Sequence, residues 1–237
     1  MIIFVHYLKI KIDFIMANSS FLKSSIAKKV AMALSGLFLI SFLSLHFFIN
    51  FTSIFSEEVF NMMSHFMGYN PIIQFVMQPI LVAGVVFHFV MGMVLELKNR
   101  SSRPVSYANY NGSANSSWVS RNMIVSGLVV LAFLGLHFYD FWVQEITYKY
   151  INVNEINPTR YYEELNHKFE SPVRTGLYAL AFILLAMHLW HGFNSSFQSV
   201  GFNNKYSKAL HKLGYAFAIV VPFGFIVIAL FHHFNQI

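Results

Sequence analysis

Five stretches of this sequence, residues 30–50, 72–97, 122–142, 175–194 and 213–234, are apolar runs long enough to cross a lipid bilayer. A hydrocarbon core of about 30 Å needs about 20 helical residues. Lipid offers no partner to a free backbone N–H or C=O, so each run has to satisfy its own backbone as a helix. The fold class that follows is all-α: a polytopic membrane bundle of five transmembrane helices. With 56% hydrophobic and only 11% charged residues, the chain lies well outside the range of soluble globular proteins.

Between the runs lie polar connections with turn and cap residues, among them Asn70-Pro71, Asn157-Pro158, Ser171-Pro172 and the Ser/Asn-rich stretch 99–120. The first run is too long and too weakly terminated for a cleaved signal peptide, so it is expected to remain as a span. Residues 1–15 set Lys9, Lys11 and Asp13 in a short apolar context, whereas Met16 opens an ordinary polar start, and translation is expected to begin there. Residues 1–29 then form a cytoplasmic N-terminal segment and residues 30–234 the membrane domain.

Basic residues tend to stay on the cytoplasmic side. With the N-terminus inside, twelve of the sixteen Lys and Arg face the cytoplasm beside two acidic residues, and the other four face outward beside eight. That asymmetry and the odd number of spans put the N-terminus inside and the C-terminus outside. It also makes the net charge of +6 a property of one membrane face rather than a sign of nucleic-acid binding.

There is no cysteine, which removes disulfides, thiolate metal sites and iron–sulfur ligation together. Eleven histidines are the main chemical resource. At a rise of 1.5 Å per residue, His46 on the first run lies roughly 9 Å outward of its centre and His137 on the third roughly 8 Å outward. His88 on the second and His188 on the fourth both lie roughly 5 Å inward, giving two levels roughly 13 Å apart. Intramembrane ionisable residues usually mark function. Four histidines paired by depth on different helices suit the axial ligation of two haems. Gly84 and Gly92 flank His88 on its own helix face and Gly192 adjoins His188, leaving space for a flat ring. Against this, a lone polar residue in a span is often just an interhelical hydrogen bond, and small residues often serve close packing. His191, three residues past His188, is the alternate ligand, or a second-sphere group toward a propionate or quinone. His232 and His233 read as interfacial.

The motifs SGLFLISFLSLHFF, VVFHFVMGMVLELK, LAFLGLHFYDF and HLWHGFNSSFQSVG, in that order on successive spans, resemble a known family. It is the single-chain, five-helix, di-haem cytochrome b membrane anchor of succinate dehydrogenase and quinol:fumarate reductase, and the resemblance runs from about Lys23 to His233. It implies that His46 and His137 hold an outer haem b and that His88 and His188 hold an inner one. It further implies a flavoprotein with FAD and an iron–sulfur subunit on the cytoplasmic face, and a quinone, expected to be menaquinone. The cytoplasmic membrane is the implied location, and the assembled complex is open to self-association. Some relatives use a glutamate before the second helix at an outer quinone site. This chain has Ser64, His65, Phe66, Met67 and Gly68 there, with no carboxylate, so His65 is the candidate proton acceptor, or else a surface residue of a loop. Ser35, Lys98, Arg103 and Arg121 are expected as inner-side partners for propionates or subunits. Two other readings stand beside this one: an anchor for a different quinone-linked dehydrogenase, and a small transporter with histidine proton relays.

Overall fold

The computed structural model describes residues 24–101, 122–202 and 204–235, with the leader, Arg103 and Arg121 outside the described residues. Everything described is helix or short connection. Five helices are long and apolar enough to cross a membrane: α1 (Ser25–Thr52), α3 (Ile73–Asn99), α4 (Met123–Ile151), α6 (Pro172–Ser199) and α7 (Ser207–Phe234). Two further helices, α2 (Glu57–Tyr69) and α5 (Arg160–Phe169), cap the end of the bundle opposite the start of α1. Sequence reasoning left both in connecting segments.

Local signals set the helix starts. Ser24 Oγ accepts the Ala27 amide at 3.0 Å, and Ser56 Oγ accepts that of Val59 at 3.2 Å, with Glu57 and Glu58 in the first turn. Ser171 caps α6, where Pro172 occupies the first turn and forfeits only an N–H that no helix would use. Helix α4 runs nine residues past the expected end at Trp142, because π turns at Phe138–Trp142 and Thr147–Ile151 carry it outward. A third π turn, Ile73–Met77, opens α3. All three widen the helix at the same end of the bundle. Such turns frequently mark functional sites.

Packing contacts run from α1 to α3 and α6, from α4 to α6, and more sparsely from α3 to α4, closing a four-membered ring. Within it α1 stands across from α4, and α3 across from α6. Helix α7 lies outside the ring, packed mainly on α6 and also on α1. At Gly224 any side chain would enter the Phe47 ring, so glycine is what lets α7 approach α1. In lipid, such close packing and interhelical hydrogen bonds replace the hydrophobic drive to associate. The densest core lies toward the capped end, where Tyr178, Phe182, Phe225, Ile228 and Ala229 meet Leu165 and Phe169 of α5.

His232, expected at the interface, is fully buried. Ser53 Oγ donates to Asn50 O at 2.6 Å and lies 2.8 Å from His232 Nε2, while His232 Nδ1 meets the Asn166 amide at 2.5 Å. His233 Nδ1 donates to Phe169 O at 2.7 Å. The two histidines fasten the end of α7 to α1 and α5.

Candidate haem-binding centre

The ring of four helices brings the four intramembrane histidines together in the pairs expected from depth. His46 and His137 face each other across α1 and α4 with ring centroids 5.8 Å apart and planes 82° apart. His88 and His188 face each other across α3 and α6 at 6.4 Å and 72°. His188, rather than its neighbour His191, is the ring set against His88.

Two imidazole nitrogens sharing one metal at about 2.0–2.1 Å each place their ring centroids roughly 6 Å apart, once a ring radius of about 1 Å is added on either side. Both observed separations lie close to that. Among the described residues no cluster of three or more metal-ligating side chains gathers. Two opposed imidazoles are a poor cage for a bare ion but a complete axial set for a macrocycle that brings its own equatorial donors.

Hydroxyls fix the chemistry of the His88–His188 pair. Ser35 Oγ donates its one hydrogen to Met32 O at 2.7 Å, so toward His88 Nδ1, at 3.0 Å, it accepts. Ser126 Oγ donates to Met123 O at 2.9 Å and likewise accepts from His188 Nδ1 at 3.3 Å. Both imidazoles then carry their proton on Nδ1 and leave the Nε2 lone pair free, the tautomer an axial ligand needs. Ser35, expected as an inner-side partner for a propionate or a subunit, lies against His88. In the other pair the Asn50 amide nitrogen lies 3.4 Å from His46 Nδ1, and His137 Nδ1 is buried with no hydrogen-bond partner among the described residues. Rings of Phe133, Phe141 and Tyr178 surround His137 at 5.1–6.4 Å.

The glycines do different work from that expected. A Cβ at Gly84 would lie 2.7 Å from Phe38, one at Gly92 3.4 Å from Met32, and one at Gly192 3.2 Å from Met123. Gly84 lets α3 approach Phe38 of α1, and Gly192 sits close to Met123, whereas Gly92 has room for a methyl group. Glycines on the neighbouring helices stand beside the imidazoles: a Cβ on Gly36 of α1 would lie 3.4 Å from His88 Cε1, and one on Gly127 of α4 3.5 Å from His188 Cε1. A flat ring held between His88 and His188 would have its edges toward α1 and α4, where glycine stands on both. The residues present fit the group.

Changing Ser35 or Ser126 to Ala removes the acceptor that fixes the ligand's tautomer. Loss of such a second-sphere partner typically weakens a metal site about 10–100-fold. Were the pair to hold haem, as the resemblance implies, each variant should lose it faster than the unmodified chain in a haem-transfer assay, with the other pair unaffected.

A second polar centre lies at the capped end. Gly68 O accepts from Lys149 Nζ at 2.5 Å, Lys149 and Arg160 both pair with Glu145, and Arg160 also bonds Glu164 at 2.6 Å. A side chain at Gly68 would press on Glu145 Oε1 and Tyr161 OH, both 3.0 Å from its Cβ. Burial opposes the Arg160 charge, but Glu145 and Glu164 together hold its pKa above the ordinary value. Burial, reinforced by Glu145, pushes the Tyr161 hydroxyl up, so it stays a neutral donor. His65 belongs to this group: it lies on α2 rather than in a loop, its ring 4.6 Å from that of Tyr69 and 6.3 Å from that of Tyr161, and its Nδ1 is buried without a hydrogen-bond partner among the described residues. Sequence reasoning found no carboxylate beside His65. The fold brings Glu145, from the extension of α4, against Gly68 on the same helix as His65. Alongside, the sparse seam between α3 and α4 opens as an apolar groove of about 870 Å³, lined by Phe75, Gln78, Val82, Val86, Trp142 and Tyr150.

A comparison with protein families matches residues 99–223 to the succinate dehydrogenase/fumarate reductase transmembrane subunit. That stretch contains α4, α6 and the first half of α7, and with them His137 and His188. Neither a curated protein nor a solved structure matches the chain. The match spans more than half of the 237 residues and includes one histidine of each facing pair. The chain is a multi-pass membrane protein and belongs to the family of succinate dehydrogenase/fumarate reductase transmembrane subunits.

Proposed function

We propose that this chain is a single-chain, di-haem cytochrome b anchor that carries electrons between a cytoplasmic flavoprotein and iron–sulfur pair and a membrane quinone. The observation that carries the reading is the two facing imidazole pairs, at 5.8 and 6.4 Å, each joining helices that stand across the ring. His46 and His137 would hold one haem b, His88 and His188 the other. Bound haem would supply a one-electron iron couple at each level. The chain's own part is to keep both imidazoles of a pair opposed, to keep Nε2 of His88 and His188 unprotonated through Ser35 and Ser126, and to exclude water with apolar helices. Succinate and fumarate would be bound by the flavoprotein, so this chain is one subunit of an enzyme.

With the N-terminus on the cytoplasmic side, the His88–His188 pair is the inner one and the capped end faces outward. The basic inner surface suits docking of the iron–sulfur subunit and anionic headgroups alike. For the quinone, menaquinone being the expected species, the capped end offers a polar group beside an apolar groove. His65 and Tyr161 can exchange hydrogen bonds with a ring carbonyl, and the groove can hold an isoprenoid tail. Replacing His65 with Phe keeps a ring against Tyr69 but removes the proton acceptor. Quinone turnover should fall about 100-fold, the lower range for loss of a general acid–base, with haem content unchanged. Unaltered kinetics would exclude His65 from the site.

The direct test is a reduced-minus-oxidised absorbance spectrum of the purified chain with haem quantified per polypeptide. Two b-type haems per chain are expected. A folded preparation without haem would refute the reading and return the histidines to packing or proton relay.

A further inference from the structure

Asp140 is a charged-type residue inside span α4, 1% exposed, on the π turn that begins directly after His137. Nothing in the proposed electron path uses it. Its Oδ2 accepts from Tyr178 OH at 2.9 Å and from Arg174 Nε at 3.2 Å, while Oδ1 is buried with no hydrogen-bond partner among the described residues. Tyr178 is itself 2% exposed, and its ring lies 6.4 Å from that of His137, so the residue that anchors the carboxylate also walls the imidazole.

The two charges of this pair are unequally placed. The Asp140 side chain is wholly enclosed, whereas that of Arg174 is 33% exposed at the start of α6. Solvent and ions screen a partly exposed charge far more than an enclosed one. At His137 the enclosed carboxylate therefore outweighs the guanidinium, and the ligand feels a net negative field. Arg174 moderates that field without cancelling it. The His88–His188 pair, by contrast, is served by two neutral serine hydroxyls.

We propose that Asp140, moderated by Arg174 and positioned by Tyr178, sets the reduction potential of the haem held by His46 and His137. Uptake of one electron there removes one positive charge from the iron centre. A negative neighbour favours the ferric form and lowers the potential, and a positive neighbour raises it. Asp140 and Arg174 are positioning residues in this sense: they touch neither substrate nor the ligating nitrogens. The proposal rests on the di-haem reading.

The test is a spectroscopic redox titration of the full chain with both haems bound, for the unmodified protein and for Asp140→Asn and Arg174→Gln. The wave belonging to the His46–His137 pair is identified as the one absent from His137→Ala. Asp140→Asn should raise the midpoint of that wave and Arg174→Gln should lower it, each by about a tenfold change in the oxidised-to-reduced ratio, ~59 mV for one electron. The other wave should not move. Packing damage would not produce opposite shifts of one wave. Shifts of the same sign, or unchanged midpoints with two haems present, overturn the proposal. If Asp140→Asn fails to assemble, Arg174→Gln decides alone: a lowered midpoint supports the proposal and any other result refutes it. Absence of haem from the unmodified chain would instead refute the di-haem reading itself.

Discussion

Replacing His188 with Ala should reduce bound haem from two per chain to one and abolish electron delivery from an iron–sulfur partner to quinone. The side chain lies against His88 at 6.4 Å and is oriented by Ser126, so no second donor stands ready at that position. His191 is the nearest imidazole, but three residues along a helix turn it about 60° short of a full revolution, away from the His88 ring. Haem content by absorbance and the remaining midpoint by titration check the result. The same outcome is expected for His88→Ala. Loss of a haem from His191→Ala, with both retained in His188→Ala, would exchange the two assignments.

Replacing Glu145 with Ala should be the most destabilising single change outside the histidines. Its carboxylate pairs with both Lys149 and Arg160, whose side chains are 6% and 7% exposed. Removing it leaves two enclosed cations with Glu164 as their remaining carboxylate partner, beside the Gly68 carbonyl and the rings of Tyr69, Tyr148 and Tyr161. Breaking a buried pair by deleting one member costs about 3–5 kcal/mol. For a chain of this size that lowers the unfolding midpoint by roughly 10 °C. Thermal unfolding in detergent, followed by circular dichroism, measures it. Glu170 makes the control: its pair with His167 is exposed on both sides, and such pairs are worth about 0–1 kcal/mol. Glu170→Ala should leave the midpoint where it is.

The membrane made most of the bundle legible. Because lipid forbids an unpaired backbone, apolar length alone located the five long helices, and a fixed rise per residue sorted the four histidines by level. What stayed hidden depended on partners distant in sequence. Helix α2 is short and carries charges at its start, and α5 is short and strongly polar, so neither shows a pattern distinct from a loop. They are helices because Asn61 caps the Tyr162 amide at 2.9 Å and Phe60 packs against Tyr162. The third apolar run ends at Trp142 in the sequence, ahead of Glu145 and Lys149, whereas the helix continues to Ile151. Within the bundle, Glu145 pairs with Lys149 one turn on and with Arg160 from beyond the next turn. The glycine reasoning failed for a related cause: spacing along one helix says which residues share a face, and not which helix that face meets. Ser35 and Ser126 did carry a readable signal. Both are polar residues within apolar runs, and the rise that placed His88 and His188 puts them near the same level.

The crossing of the two histidine pairs bears on how the molecule is made. His46 and His137 lie on α1 and α4, and His88 and His188 on α3 and α6. As the chain leaves the ribosome, the first pair is complete once the third membrane helix has been synthesised, whereas the second must wait for the fourth. A nascent chain halted after α4 already owns one whole imidazole pair and half of the other, so biogenesis can begin to order the helices around one centre before the residues of the second have all been translated.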